Sequence, residues 1–207
     1  MDIAKHLRRR AVTWAAAGAA AVAAASALSL TAASAAPVTS ASAARPFTFA
    51  LVPSPGIQSC LPHAHGVVTI IPGSQNDLMD VTITGMPKNA EFDLFVIQQP
   101  NKPFGVSWYQ TDVNANGAGI GHADVRGIFD RETFSVSPGG TATFAPTHQF
   151  HLGLWFNDPQ LPFKLGCEPG QPSPVVTPFN GEQHAGIQVL NTAEFPDNAG
   201  PLSHVHR

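Results

Sequence analysis

The chain has 207 residues, of which 43% are hydrophobic and 12% charged, and its eleven Lys and Arg against fourteen Asp and Glu give a net charge of −3. This sparse, acidic charge, with no basic cluster beyond the first ten residues, argues against nucleic acid and anionic membranes as partners. We therefore expect no nucleic acid partner.

The first 35 residues have the three parts of an export signal. Lys5 and three arginines at 8–10 precede an uncharged apolar run over 11–30, and Ala33-Ser34-Ala35 has the small-residue form that signal peptidase cleaves. A permanent anchor would need about 20 strongly apolar residues, whereas this run is mostly alanine. We predict a signal peptide over residues 1–35, a secreted, extracellular protein and no stable membrane anchor after cleavage. The general secretory and twin-arginine routes both stay open.

Cleavage after residue 35 removes four basic residues and one acidic residue. The remaining chain then carries seven Lys and Arg against thirteen Asp and Glu, a net charge of −6. Its length, about 170 residues, fits one domain with a sizeable core.

Short apolar alternations with a period of two follow a flexible, Ala/Ser/Thr/Pro-rich lead-in at residues 36–45. Each is bounded by Pro, Gly, Asn or Asp, as β-strands are, and no segment shows a helical period over three turns. The predicted strands are 47–51, 67–71, 81–83, 92–96, 106–109, 134–136, 150–156 and 187–189.

The resulting fold prediction is an all-β domain over residues 46–193. The predicted architecture is a two-sheet antiparallel sandwich, immunoglobulin-like or jelly-roll-like. Residues 194–207, which include two prolines and a glycine, are predicted as a C-terminal tail that lies on the surface or is disordered.

Cys60 and Cys167 are the two cysteines of the chain, and both follow the predicted signal. In an oxidising compartment two cysteines most simply form one disulfide. A reactive thiol would need an activating neighbour, and the sequence shows none beside either residue. We predict a bridge that ties the entry of the domain to the Pro-rich segment 167–178, which we interpret as a surface connection.

The segment TDVNANGAGIGHAD, residues 111–124, has two interpretations. Asp112, Asn114 and Asn116 match the first oxygen ligands of a calcium loop, but the position that would close the shell with a carboxylate is an alanine. The flanks have the strand pattern, and Asn116-Gly117 is a hairpin signal because both residues tolerate positive φ. We favour a plain turn and keep Asp112, Asn114 and Asn116 as candidate calcium ligands.

Histidines supply a second candidate chemistry, since neutral imidazole is the commonest transition-metal ligand. In an extended segment, His63 and His65 place two rings on one face. Copper or zinc binding by this pair, with His122 or His184 as further ligands, is therefore the leading alternative function. No complete ligand set is evident around the pair, so dispersed surface histidines are the simpler interpretation.

Catalytic motifs give no assignment. The chain has no Gly-x-Ser-x-Gly elbow, no His-Glu-x-x-His pair and no phosphate-binding glycine loop. Trp108, Tyr109 and Trp155 are candidates for an aromatic sugar-binding platform, which makes a carbohydrate-active protein the third possibility. Because Trp155 is out of phase with the apolar row of 150–156, it faces outward or belongs to a core on the opposite side of its sheet.

Two passages resemble known modules. VTITGMPKNAEFDLFVIQ, residues 81–98, resembles the strand, Gly-x-Pro turn and strand of fibronectin type III and related immunoglobulin-like modules. TDVNANGAG resembles the loop that often follows in bacterial extracellular members of that group. The chain after the signal also resembles a set of uncharacterised secreted actinobacterial proteins. These resemblances imply a β-sandwich but no activity.

The sequence thus predicts a secreted, disulfide-bridged β-domain that acts as an extracellular binding or structural module without a catalytic centre. Its partner would be an extracellular ligand or protein. No cofactor is required by this interpretation, and calcium, copper or zinc enter only through the alternative sites given above.

Overall fold

The computed structural model of the chain describes residues 45–129, 150–178 and 184–205. The predicted signal peptide, nearly all of the lead-in 36–45 and the predicted strand 134–136 lie outside these residues. The described residues belong to one compact unit. Within these ranges no helix is both long enough and apolar enough to cross a membrane.

Strands dominate the described residues, so the predicted all-β class is confirmed. One short helix, α1 (Gln160–Lys164), and two 3-10 turns, Ile57–Ser59 and Pro201–His204, interrupt them. The strands are β1 (Phe47–Pro53), β2 (His65–Ile71), β3 (Asp77–Thr84), β4 (Glu91–Ile97), β5 (Ser107–Asn114), β6 (Gly121–Gly127), β7 (His151–Phe156), β8 (Thr177–Pro178), β9 (His184–Ala185) and β10 (Gln188–Asn191).

Eight strands form one sheet in the order β5-β4-β7-β10-β1-β2-β3-β6, and β8 pairs with β9 in a small second sheet. All of these pairings are antiparallel. β1 connects two groups of four strands. Its first five residues pair with β2, whereas Val52 and Pro53 pair with β10.

The period-two alternation decides which face of each strand is buried. In β3, Met79, Val81 and Ile83 are fully buried, whereas Asp80 and Thr82 between them are partly exposed. Buried side chains from both groups, β5-β4-β7-β10 and β1-β2-β3-β6, belong to a single hydrophobic cluster. Each fully buried aliphatic side chain of this size contributes about 1.5–3 kcal/mol.

β4 and β7 are buried on both faces, which the alternation did not predict. Leu94 contributes to the main cluster, whereas Phe95, Ile97, Trp155 and Ala185 form a second cluster on the opposite face. Segments outside the large sheet cover this face, because Ala185 belongs to β9 and the partly buried Phe104 lies in the connection between β4 and β5.

The predicted turn joins β5 to β6, but the predicted hairpin is wrong, because these strands lie at opposite ends of the strand order and share a single bridge, Ala115 to Gly121. The conformation of the turn also differs from the expected one. The residue with positive φ is Gly119, at 74°, and neither Asn116 nor Gly117 is left-handed. Asn116 acts through its side chain instead: its Oδ1 accepts hydrogen bonds from the backbone N–H of Ala118 at 2.8 Å and of Ile120 at 3.2 Å. The asparagine therefore caps the turn, and a glycine two residues after Gly117 supplies the conformational freedom.

The predicted disulfide is confirmed. Cys60 and Cys167 are bridged, with their Cα atoms 5.1 Å apart and a sequence separation of 107. Cys60 directly follows the first 3-10 turn, and Cys167 lies three residues beyond α1. The bridge thus fastens the loop after α1 to the chain between β1 and β2.

The core continues past residue 193, where the sequence predicted the domain to end. Leu202 is fully buried and Val205 is 4% exposed, and both belong to the main cluster. The N–H of Leu202 donates to the carbonyl of Phe150 at 3.1 Å, which docks the second 3-10 turn beside β7. The prolines and the glycine of this segment predicted an irregular backbone. Such composition does not indicate which side chains of the segment are buried in the core.

Removing the bridge with the double substitution Cys60→Ser and Cys167→Ser should lower the free energy of unfolding by about 4–5 kcal/mol, because the unfolded chain gains the entropy of a loop of about 100 residues. Urea denaturation of both proteins measures this difference. Wild-type protein with reductant should unfold like the variant, and equal stability of all three samples would contradict the prediction.

Candidate functional site

One row of side chains crosses four strands on the face opposite the main core. The register sets Asp112 of β5 against Asp93 of β4, Asp93 against Trp155 of β7, and Trp155 against Gln188 of β10. Directly paired residues point to the same face of a sheet. We call these four residues the acid–tryptophan row.

Trp155 is the largest member of the row and is only 2% exposed. Its indole lies over Gly153 of the same strand, where an added Cβ would collide with the ring. Phe95 and Phe104 pack edge-on against it, with centroids 5.5 and 4.9 Å from the indole. The indole therefore has packed neighbours on three sides. It fits over Gly153 because glycine has no side chain there.

The three aromatic residues suggested for a sugar-binding platform do not share a surface. Trp108 and Tyr109 are 43% and 49% exposed, but as consecutive residues of β5 they point to opposite faces. Trp155 is buried. Tyr109 lies on the same face as Trp155 and packs edge-on against Phe95, with ring centroids 5.6 Å apart.

Asp93 is a carboxyl group 5% exposed beside this buried indole. Burial raises the pKa of Asp93 above its ordinary value; a hydrogen bond from Asn157 opposes the rise, and Asp112 and Glu91 add to it. Asn157 Nδ2 donates to Asp93 Oδ1 at 2.9 Å. Two acids on paired positions therefore differ in environment, since Asp112 is exposed at the outer strand.

Tyr109 connects to the same acids. Its hydroxyl donates to Asp112 Oδ1 at 2.7 Å. Burial, followed by the hydrogen bond and the charge of Asp112, raises the pKa of Tyr109 to about 12. The phenol thus remains a hydrogen-bond donor throughout the physiological pH range.

Gln188, at the other end of the row, belongs to a buried hydrogen-bond network. Its Oε1 accepts from Ser54 Oγ at 2.9 Å and from Asn191 Nδ2 at 3.0 Å, and its Nε2 donates to the Pro100 carbonyl at 3.1 Å. Asn191 Nδ2 also lies 3.2 Å from that carbonyl. Three chain segments are thereby held together through polar side chains whose partners are present.

A cleft of about 590 Å³ opens beside Trp155. Its walls come from segments 54–56, 101–104, 167–177 and 187–188. The volume lies within the range of small-molecule sites, roughly 300–1,000 Å³. Gln188 and Ser54 of the buried network line it, and so does Cys167 of the disulfide.

Glu168 is the unusual residue of this cleft. It is 8% exposed, and its Oε2 accepts a hydrogen bond from the N–H of Val175 at 2.7 Å. Its Oε1 is buried and has no hydrogen-bond partner among the described residues. A buried acceptor without a partner costs about 1–3 kcal/mol, and a charged one costs more.

A separate polar group lies on the exposed face of β3 and β6. Asp80 pairs with Asp124, and Thr82 pairs with His122 in the next outward position. His122 Nδ1 is 4.0 Å from Asp80 Oδ1, and His122 Nε2 is 3.7 Å from Asp124 Oδ1. Within the described residues Asp80, His122 and Asp124 are the one group of three with ligand atoms close enough to hold a metal ion.

His63 and His65 are both exposed, and His65 begins β2 opposite Thr84. Neither belongs to a cluster of three potential ligands in the described part of the chain. The structure does not bring His122 to them but places it between the two aspartates. His184 is exposed on β9, outside the large sheet.

The candidate calcium ligands Asp112, Asn114 and Asn116 do not surround one point. Asp112 and Asn114 are exposed residues of β5, and one oxygen of Asp112 accepts the Tyr109 hydroxyl. Asn116 Oδ1 is occupied by two backbone N–H groups of the turn. Calcium needs six to eight converging oxygens, so this geometry favours the plain turn.

Two features of the sequence indicate part of the metal-ligand group and of the cleft. His122 and Asp124 are two apart in a flank of the predicted turn that has the strand pattern, which places them on one face. Glu168 follows a cysteine predicted to be bridged, and a bridged residue draws its neighbour toward the core. Nothing local indicates that Asp80 faces Asp124 or that Trp155 lines the same cleft as Glu168.

The chain matches no protein-family model, no curated protein and no solved structure.

The substitution Asp93→Asn should stabilise the protein at pH 7. Burial raises the folded-state pKa of Asp93 above its ordinary value. The folded state therefore binds the proton more tightly than the unfolded state, and it loses stability as the pH rises from the unfolded-state pKa through the folded-state pKa. An amide keeps the acceptor for Asn157 and removes the buried charge.

Urea denaturation at pH 7 and at pH 3.5 tests this. The gain in free energy of unfolding should shrink at the lower pH, where the wild-type carboxyl is also neutral. Glu194→Gln, at an exposed acid, is the control and should change little at either pH. An Asn variant less stable than wild type at pH 7 would show that the ionised carboxylate is needed.

Proposed function

We propose that this protein is an exported, non-catalytic binding protein whose ligand occupies the cleft beside Trp155. The observation that carries the proposal is the buried carboxylate of Glu168, which lines that cleft with one oxygen unpartnered among the described residues. Natural proteins pair nearly all such groups, and a ligand that donates a hydrogen bond would supply the partner.

The cleft is also preorganised, as a binding site requires. Hydrogen bonds hold the lining residues Gln188 and Ser54, and the Cys60–Cys167 bridge fixes the loop that carries Glu168. A site whose walls are already ordered loses little conformational entropy when the ligand binds. The paired acids Asp93 and Asp112 are not among the residues that line the cleft, which supports binding over acid–base catalysis there.

Export is part of the same proposal. The basic, apolar and small-residue segments of residues 1–35 support it, and the disulfide is compatible with an oxidising compartment. The finer architecture is proposed as a two-sheet sandwich, immunoglobulin-like or jelly-roll-like, in which β5-β4-β7-β10 faces β1-β2-β3-β6. One hydrophobic cluster lined by both groups of strands supports it.

Filling the cleft should abolish binding there. Gln171 lines the cleft and is exposed, so Gln171→Trp places a bulky ring in the volume without disturbing a buried group. Small molecules found by ligand-observed NMR against the wild-type protein should lose at least about tenfold in affinity, or ~1.4 kcal/mol.

Ser173→Trp is the matched control, because Ser173 is exposed on the same loop but does not line the cleft. It should bind the same molecules as wild type. Ligands that bind all three proteins equally would place the binding site elsewhere and end the proposal.

Transition-metal binding is a second candidate function, favoured by the group of Asp80, His122 and Asp124. One imidazole and two carboxylates are zinc ligands, and three protein ligands leave a position for water. All three side chains are at least partly exposed, so small rotations bring them to a common ion.

Zinc titration by calorimetry should therefore show one site per chain that weakens by about 10–100-fold or more in His122→Asn. The double variant His63→Asn, His65→Asn should bind like wild type. If the double variant loses zinc binding and His122→Asn does not, the zinc site is at His63 and His65. Absence of zinc binding in wild type would remove the second candidate.

A further inference from the structure

The surroundings of Glu168 define what would complement it. Within the described residues no Lys, Arg or His forms a salt bridge with this carboxylate, although it is 8% exposed. Its single hydrogen bond comes from an uncharged backbone N–H. A buried carboxylate without a positive partner is unfavourable, and a cation beside it relieves the cost.

The aromatic lining of the cleft points to the same ligand chemistry. Trp155 and Phe104 both contribute to the walls, with their rings held edge-on 4.9 Å apart. These rings give the cleft an apolar wall, which suits a ligand whose charge is confined to one end. Apolar groups at Val175 and Ile187 line the remaining surface.

Lys102 limits the charge that fits. It is exposed on the loop that carries Phe104 and also lines the cleft, and no salt bridge joins it to Glu168. A ligand with positive charge along its whole length would be repelled by this ammonium group. A ligand with its charge at one end can place that end at Glu168 and keep an apolar body near Lys102.

We infer that the cleft binds a small organic cation, a molecule with one terminal ammonium group on an apolar or aromatic body. The inference rests on the proposed binding function and adds the ligand class. The carboxylate of Glu168 pairs with the ammonium group, the apolar lining contacts the body, and Lys102 disfavours polycations.

Three probes that share one ring separate charge from shape: tyramine is a cation, N-acetyltyramine is neutral, and 4-hydroxyphenylacetate is an anion. Calorimetry or ligand-observed NMR at pH 7 with the purified protein should rank tyramine first. The neutral amide should bind about tenfold or more weakly, since it lacks the charge–charge attraction to the carboxylate, and the anion should bind weakest.

Glu168→Gln keeps the side-chain volume and removes the charge. It should lower the affinity for tyramine by about tenfold or more and abolish the preference over N-acetyltyramine. Glu194→Gln, at an exposed acid outside the cleft, should bind tyramine like wild type. Circular dichroism and melting temperature establish that each variant is folded.

A second variant avoids the buried site. Lys102→Gln changes an exposed side chain and should tighten tyramine binding, because a like charge is removed from the cleft. This result supports the inference even where Glu168→Gln does not fold, and weaker binding in Lys102→Gln overturns it.

The remaining outcomes distinguish the ligand class from the function. If N-acetyltyramine binds as well as tyramine and Gln171→Trp blocks both, the cation inference is wrong and the binding function stands. If tyramine does not bind while neutral or anionic molecules occupy the cleft, the same conclusion follows. If the cleft-filling variant affects no ligand at all, both proposals fall together.

Discussion

Strand β1 pairs with two different neighbours, and the shared core depends on this double pairing. Its first five residues pair with β2 and its last two with β10, so one strand links both groups of four strands. Leu51 is fully buried near the change of partner. An added Cβ at Gly66 would lie 2.9 Å from the Leu51 side chain and 3.3 Å from Leu190. The junction therefore requires a glycine, and bulk there would separate strands of the two groups.

The cleft follows from where β1 ends. Ser54, directly after the strand, donates its N–H to the carbonyl of Val189 at 3.0 Å and its hydroxyl to Gln188. The chain then turns into the segment that carries Cys60, which the disulfide joins to Cys167. Residues 54–56, which continue the central strand, and Cys167 thus both line the cleft, and the disulfide joins their segments.

Two buried acids share this side of the molecule and have different surroundings. Asp93 has the amide of Asn157 as a donor and lies among the packed aromatic residues of the second cluster. Glu168 has one backbone donor and lines open volume. Replacing a buried charge by a neutral group of the same shape is often neutral or stabilising, so neither acid is explained by folding alone. The cleft offers an explanation for Glu168.

The sequence alone determined the class of structure. Period-two alternation, as in Met79, Val81 and Ile83, is a local property that survives any arrangement of the strands. It predicted seven of the eight strands of the large sheet, and the eighth, β6, was expected only as a flank of the turn. Two cysteines in the chain, at positions 60 and 167, were enough to predict the bridge. Both inferences need no knowledge of which strands are neighbours.

Tertiary structure decided everything that depends on register between distant strands. Asp80 meets Asp124 only because β3 pairs with β6, and Asp93 meets Trp155 only because β4 pairs with β7. A shift of one residue would turn either set to the other face while leaving the alternation unchanged. For the same reason the sequence indicated Trp155 as a candidate but not that it is buried, and Glu168 was not predicted as a site residue. A cleft is formed by chain segments that meet only when the whole domain has folded.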